Sequence, residues 1–200
     1  PPFSFWGEED APCVESLLNS PEPGDAPLGL YYHVPFCRKR CHFCYFRVYT
    51  DKNSSDIRRY LSATMQELRQ YAERPYVAGR KLKYVYFGGG TPSYLSAQQL
   101  TELTDGMKAI MPWDETEEVT FECEPGTLTE KKLEVIKNFG VTRLSLGIEN
   151  FSDHVLDING RAHRSPEVFR AYEFARGLGF DNINVDLIAG MLDETDENWV

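Results

Sequence analysis

Three cysteines fall within eight residues, Cys37-Arg38-Lys39-Arg40-Cys41-His42-Phe43-Cys44, spaced CxxxCxxC directly after an apolar run. Cysteines that serve only as packing are scattered through a core as small hydrophobes. Crowded thiols suit a thiolate cage instead. Iron–sulfur clusters are held by cysteine thiolates, usually four of them, and three close ligands with no evident fourth would leave one iron of a [4Fe–4S] cluster open to a small molecule. A structural zinc site is the competing reading. It needs four closed ligands, commonly from two separated pairs, and the fourth here would be His33, His42, Cys13 or Cys123, none at ligand spacing. A disulfide framework fits worse, since five cysteines is an odd number and the chain is not a small secreted scaffold.

Other residues able to do chemistry stand where apolar runs end. Gly88-Gly89-Gly90-Thr91-Pro92 lies between a strand pattern and a helix pattern. Without Cβ atoms, backbone N–H and C=O groups there can approach a ligand closely, or the stretch is a flexible turn. It is not a phosphate loop, because the GxxxxGK[ST] lysine is missing. Glu122 closes a strand whose Val119, Phe121 and Cys123 point the other way by period two. Its carboxylate could hold an ammonium or ribose hydroxyls, or stand exposed at the strand end; Cys123 reads as core. Asp186 sits between Val185 and Leu187 in an apolar strand, where an unpaired carboxylate is costly. A partner is expected for it, either a ligand or a basic side chain such as Arg161. His154 and His163 lack ligand spacing and read as surface or loop residues.

Positioning these groups requires a scaffold that gathers strand ends. Residues 1–27 carry six prolines, several acids and little periodicity, which predicts an irregular N-terminal arm with an unremarkable thiol at Cys13. Residues 28–200 form the domain. Strands are predicted at 28–34, 82–87, 119–123, 143–148 and 183–188. Between them, Ile57, Tyr60, Leu61, Met65 and Leu68 recur at helical spacing behind a cap at Ser54 or Ser55. Ser96 and Gln99 form a capping box, Thr129 opens a helix that Gly140 closes, Ser165-Pro166 opens another with Ser165 as its cap, and Thr195 begins a last segment. Five strands alternating with helices mean parallel βαβ units, wound by right-handed crossovers into an open sheet or a barrel. In both, chemistry gathers at the C-terminal strand ends, where the cysteines, glycines, Glu122, Glu149 and Asp186 all fall.

Two hundred residues suffice for one core, and 42% hydrophobic with 26% charged residues is ordinary for a soluble globular protein. The net charge of −10 disfavours nucleic acid as a partner. No run approaches a membrane span and no secretory leader is seen; clustered free thiols suit a reducing compartment, the cytoplasm. The chain starts at Pro1 and stops at Val200 inside a helix start, as a piece of something longer would.

YYHVPFCRKRCHFC, with GGGTPSYL downstream, resembles the radical S-adenosylmethionine (SAM) superfamily, and within it the branch of oxygen-independent coproporphyrinogen III oxidase and its relatives. The likeness runs from about Leu28 to the end. It implies an α/β fold, a partial (β/α)6 barrel truncated after about the fifth strand. It also implies a [4Fe–4S] cluster on Cys37, Cys41 and Cys44, with SAM chelating the fourth iron and being split to a 5′-deoxyadenosyl radical. An electron donor such as flavodoxin or ferredoxin comes with that chemistry. Tyr31, Phe43, Gly89, Gly90, Thr91 and Glu122 match the family's SAM-contacting positions, while Arg161 and Asp186 match positions that surround a second SAM in the oxidase. Two departures stand out. Phe46 replaces a further cysteine of the oxidase proper, which leans toward relatives that include a haem chaperone and radical methyltransferases using a second SAM for methyl or methylene transfer. Gly147-Ile148-Glu149 ends in an acid where the family has glutamine. The implied substrate is a small molecule, a porphyrinogen or haem.

Overall fold

Five parallel strands lie side by side in chain order: β1 (Leu28–Val34), β2 (Leu82–Gly89), β3 (Glu118–Cys123), β4 (Arg143–Glu149) and β5 (Asn182–Leu187). The structure, a computed structural model, describes residues 7–21, 24 and 26–199. A doubly wound sheet would reverse its strand order at a switch point. Here the order runs one way, so right-handed crossovers place the connecting helices on a single face. The result is a partial β/α barrel with a helical outside and a concave inside. Helices α2 (Ser54–Ala72), α3 (Ala97–Ile110), α4 (Glu130–Asn138) and α6 (Ser165–Gly177) make the outer layer, each packing on the next.

The two faces of the sheet differ in chemistry. Val85 and Phe87, Val119 and Phe121, Leu144 and Leu146 alternate toward the helices and are buried. Phe87, Phe121 and Phe139 form a mutually tilted cluster with ring centroids 5.4–5.7 Å apart, the offset geometry that aromatic quadrupoles favour. Trp113 closes it and donates its indole N–H to the Phe139 carbonyl at 3.1 Å. The residues between these face inward and are polar: Tyr86 bonds Glu122 at 2.6 Å, and Ser145 and Asn184 bond Asp186 at 2.9 and 2.7 Å. A barrel that served only for stability would fill this side with branched aliphatics.

Several expectations change. The N-terminal arm is not irregular throughout: Ala11–Leu18 is a helix, α1, with Pro12 in its first turn. It is tied to the end of α2 by Glu15–Arg74 at 2.8 Å and by the Tyr76 N–H on the Leu18 carbonyl. Residues 1–6, 22, 23 and 25 of that arm lie outside the described residues. The cap of α2 is Asn53, whose side chain accepts the N–H groups of Ser55 and Asp56; the two serines follow it inside the helix. Ser165 is likewise the first residue of α6 and not its cap, since Glu167 turns back to accept the Arg164 N–H at 2.9 Å. A short helix that the periodicity did not predict, α5 (Asp153–Ile158), follows β4. β2 extends through Gly88 and Gly89, so those two glycines are strand and not turn. The last segment, α7, covers Asp196–Trp199. Among the described residues no helix is long and apolar enough to cross a membrane.

The aromatic cluster sets the first prediction. Phe121→Ala empties the centre of a close-packed core and should cost about 3–5 kcal/mol, whereas Asn53→Ala at the cap of α2 should cost about 1 kcal/mol. Chemical denaturation of both variants beside the parent checks the ratio; equal losses would mean Phe121 is not central.

Candidate functional site

The cysteine loop is built on a closed neck. Pro35 ends β1, the Tyr49 N–H returns to the Pro35 carbonyl at 2.8 Å, and the Cys37 N–H reaches the Tyr49 carbonyl at 3.1 Å. Phe36, buried beneath, packs edge-on against Tyr60 with centroids 5.3 Å apart. Two further ties hold the loop's far side. The Arg38 guanidinium forks onto Glu124, just past β3, at 3.0 and 3.2 Å, and the His42 N–H reaches the Asn159 carbonyl at 3.0 Å. Cys37 is buried, while Cys41 and Cys44 are half-buried.

All three cysteines line one cavity of about 290 Å³ at the C-terminal ends of the strands. Phe43, Gly89, Gly90, Thr91 and Glu122 line it too, as do Glu149, Arg161 and Asp186. Tyr31 stands beside it, stacked on Tyr86 and hydrogen-bonded to His33 at 3.0 Å. The structure thus brings the sequence-derived candidates to one place. At Gly89 and Gly90 a side chain would force neighbouring atoms to move. Gly89 holds φ +115° and an added Cβ would lie 2.7 Å from the His33 ring; at Gly90 it would lie 3.0 Å from the Cys37 sulfur. The Thr91 hydroxyl donates to that same sulfur at 3.3 Å.

Burial pushes the Cys37 thiol up, against the pull of the Thr91 bond. Burial likewise raises the Glu122 carboxyl, although it accepts from the Tyr86 hydroxyl at 2.6 Å and the Gly89 N–H at 3.1 Å. Glu149 is raised by burial and pulled back by Arg161. Of the two kinds of partner expected for Asp186, a ligand or a basic side chain, the second is not met by Arg161. Its partners are Ser145 and Asn184, not Arg161, and β5 is an exposed strand rather than a buried apolar one. Arg161 pairs with Glu149 instead.

The residues that the sequence did not single out are Glu124, Arg38 and His163. His163 stands in the loop before α6, as one of its two readings has it, but it is fully buried and not at the surface, with its ring between Glu124 at 3.2 Å and the Ile148 carbonyl at 3.2 Å. Burial would raise the Glu124 carboxyl, but hydrogen bonds from His163 and Arg38 outweigh it and hold the group below the usual carboxylate range. The available signal was Glu124 in the strand-end string Glu122-Cys123-Glu124-Pro125. Spacing alone could not say that its partners lie 86 and 39 positions away. His154 is exposed and pairs with Asp193 at 3.1 Å, as a surface histidine does.

Comparison with known proteins adds a family. The model of the radical SAM superfamily matches residues 31–200. The chain belongs to the radical SAM superfamily. Among relatives, a haem chaperone, HemW, of Bacillus subtilis (strain 168) is 37% identical over 166 residues, covering 82% of this chain and 43% of that protein. An oxygen-independent coproporphyrinogen III oxidase of Salmonella typhimurium is 31% identical over 191 residues, 96% of this chain and 41% of that one. The solved structure of coproporphyrinogen III oxidase (HemN) from Escherichia coli superposes with a TM-score of 0.84 at 30% identity, covering 97% of this chain and 43% of that chain. The chain therefore spans less than half the length of these relatives.

The family implies a [4Fe–4S] cluster and SAM, and the donor set fits a cluster better than a single ion. Among the described residues no three His, Cys, Asp or Glu side chains gather around one metal position. Zinc needs four donors at about 2.0–2.3 Å from one centre, whereas the thiolates of a cluster each take a different iron and line a wider space. The absent Cβ at Gly90 keeps that space open next to the Cys37 sulfur.

The Glu124 tie generates the second prediction. Glu124→Ala should destabilise by about 3 kcal/mol, the low end for breaking a buried ion pair, because Arg38 keeps 36% of its side chain exposed. Since the folded carboxyl lies below its unfolded value, about 4.3, its contribution is present above that pH and lost as pH falls through the folded value. Denaturation midpoints of parent and variant should therefore differ at pH 7 and converge in acid.

Proposed function

We propose that Cys37, Cys41 and Cys44 hold a [4Fe–4S] cluster, that SAM binds beside it, and that the protein of which this chain is part acts on a tetrapyrrole. The observation that carries the reading is convergence: three thiols, a Cβ-free strand end and the half-buried Glu122 share one cavity. When bound, the cluster and SAM supply one-electron cleavage of a carbon–sulfur bond and hydrogen abstraction from the substrate.

The chain's own residues bind and orient. Glu122, fixed by Tyr86 and the Gly89 N–H, offers a carboxylate of set direction to the SAM ammonium. Gly89 and Gly90 present backbone to the ligand without side-chain obstruction. Thr91 fixes the Cys37 sulfur by its hydroxyl. Phe43 at the cavity wall and Tyr31 on Tyr86 give aromatic surface on which a bound ligand can pack. An external electron donor of the flavodoxin or ferredoxin kind, in a reducing compartment, completes this scheme.

The tetrapyrrole comes from the relatives, one named as a coproporphyrinogen III oxidase and another as a haem chaperone. A second reading, haem delivery without substrate turnover, is favoured by one observation. Phe46 stands where the oxidase is expected to carry a cysteine, and it stacks on Tyr45 at 4.6 Å, both rings exposed beside the cysteine loop. Such a pair suits a flat apolar ring system.

The test uses anaerobically reconstituted full-length protein and its Cys37→Ala variant. The parent should hold close to four irons and four sulfides per chain, on the order expected for one cluster, and release 5′-deoxyadenosine from SAM under a strong reductant. The variant should do neither. Tight haem binding without SAM cleavage would select the chaperone reading; a colourless, zinc-loaded parent would end both.

A further inference from the structure

One side chain of the cavity wall also touches a candidate cluster ligand. Arg161, from the loop after α5, is 11% exposed. One of its terminal nitrogens, Nη1, donates to the Cys41 sulfur at 3.3 Å. The other, Nη2, donates to the Gly147 carbonyl at 2.5 Å and lies 3.7 Å from the Glu149 carboxylate. Its Nε is buried without a partner.

Glu149 reaches this position at a cost. It sits at φ +68°, a left-handed conformation that a side chain of its kind rarely adopts. A register shift between Gly147 and Glu149 against β5 produces the turn of the backbone, as bulges beside active sites do. Gly147 makes room for the pair: a Cβ there would stand 3.1 Å from the Glu149 carboxylate and 3.6 Å from Arg161. The geometry is a chain of charge, from carboxylate to guanidinium to thiol sulfur.

We propose that Arg161 is a positioning residue for Cys41 whose hydrogen bond and positive charge raise the reduction potential of the cluster, and that Glu149 attenuates that charge. The inference rests on the cluster reading above. The physics is general: cluster potentials follow net charge and hydrogen bonds to the sulfurs, and partners behind a ligand tune the metal they do not touch. A cation on a thiolate stabilises the electron-rich reduced state; an anion behind the cation takes part of that back. Glutamate at 149 thus sets a lower potential than a neutral amide of the same shape would.

The experiment is a redox titration followed by electron paramagnetic resonance on reconstituted full-length protein, with iron and sulfide measured in every sample. Glu149→Gln, nearly isosteric, should move the midpoint to a less negative value. Arg161→Met should move it to a more negative value, Arg161→Lys should fall between Arg161→Met and the parent, and the double variant Glu149→Gln with Arg161→Met should fall between the two single variants. A merely structural role would alter cluster content without this ordered set of potentials. If Arg161→Met fails to load, the sign of the Glu149→Gln shift decides alone. Loaded proteins with equal midpoints, or a negative shift for Glu149→Gln, overturn the inference while leaving the cluster reading intact. A parent without iron and sulfide overturns both.

Discussion

Glu124 is the point on which the site's geometry depends. Its buried carboxylate, just past the end of β3, is shared by the Arg38 fork from the cysteine loop and the His163 ring from the segment before α6. It also accepts the Gly126 N–H that begins the next turn. Three separate stretches of chain are thus fixed to one side chain. Removing that carboxylate would leave the fully buried His163 ring without its charged partner, which costs more than losing an exposed pair. Because Arg38 lies directly after Cys37, the tie sets where the first thiol stands.

The sheet supplies the rest of the rigidity. Its outward residues build a continuous aromatic and aliphatic core under the helices, and that core holds the strand ends in register. The inward residues are then free to be polar, because Tyr86, Glu122, Ser145, Asn184 and Asp186 satisfy one another across neighbouring strands. Burial against one face makes polarity on the other affordable. The glycines of β2 extend that logic to the backbone itself, where the strand edge replaces side chains.

Most of the architecture was legible because it rests on local signals. β1 matches its predicted span, the next three strands differ by one or two residues at one end, and β5 is shifted by one residue at both; the Ser96–Gln99 capping box is formed as expected. The cysteine loop and the glycine strand end were legible for the same reason, since their chemistry is concentrated in a few consecutive residues. What stayed hidden depends on distant partners. Nothing in the residues around His163 says that it is buried against Glu124, and nothing around Asp186 says that a serine 41 positions earlier, on the neighbouring strand, rather than Arg161, would satisfy it. α5 is too short for periodicity to register, and α1 lies among prolines that argue against a helix until Pro12 takes the first turn, where its missing N–H is harmless.

The left-handed backbone at Glu149 has a consequence for which residue suits this position. Glycine there would relieve the backbone strain. The same change would delete the carboxylate facing Arg161. Backbone strain and electrostatics therefore pull this one residue in opposite directions: the left-handed turn favours glycine, and the Arg161 guanidinium favours the acid.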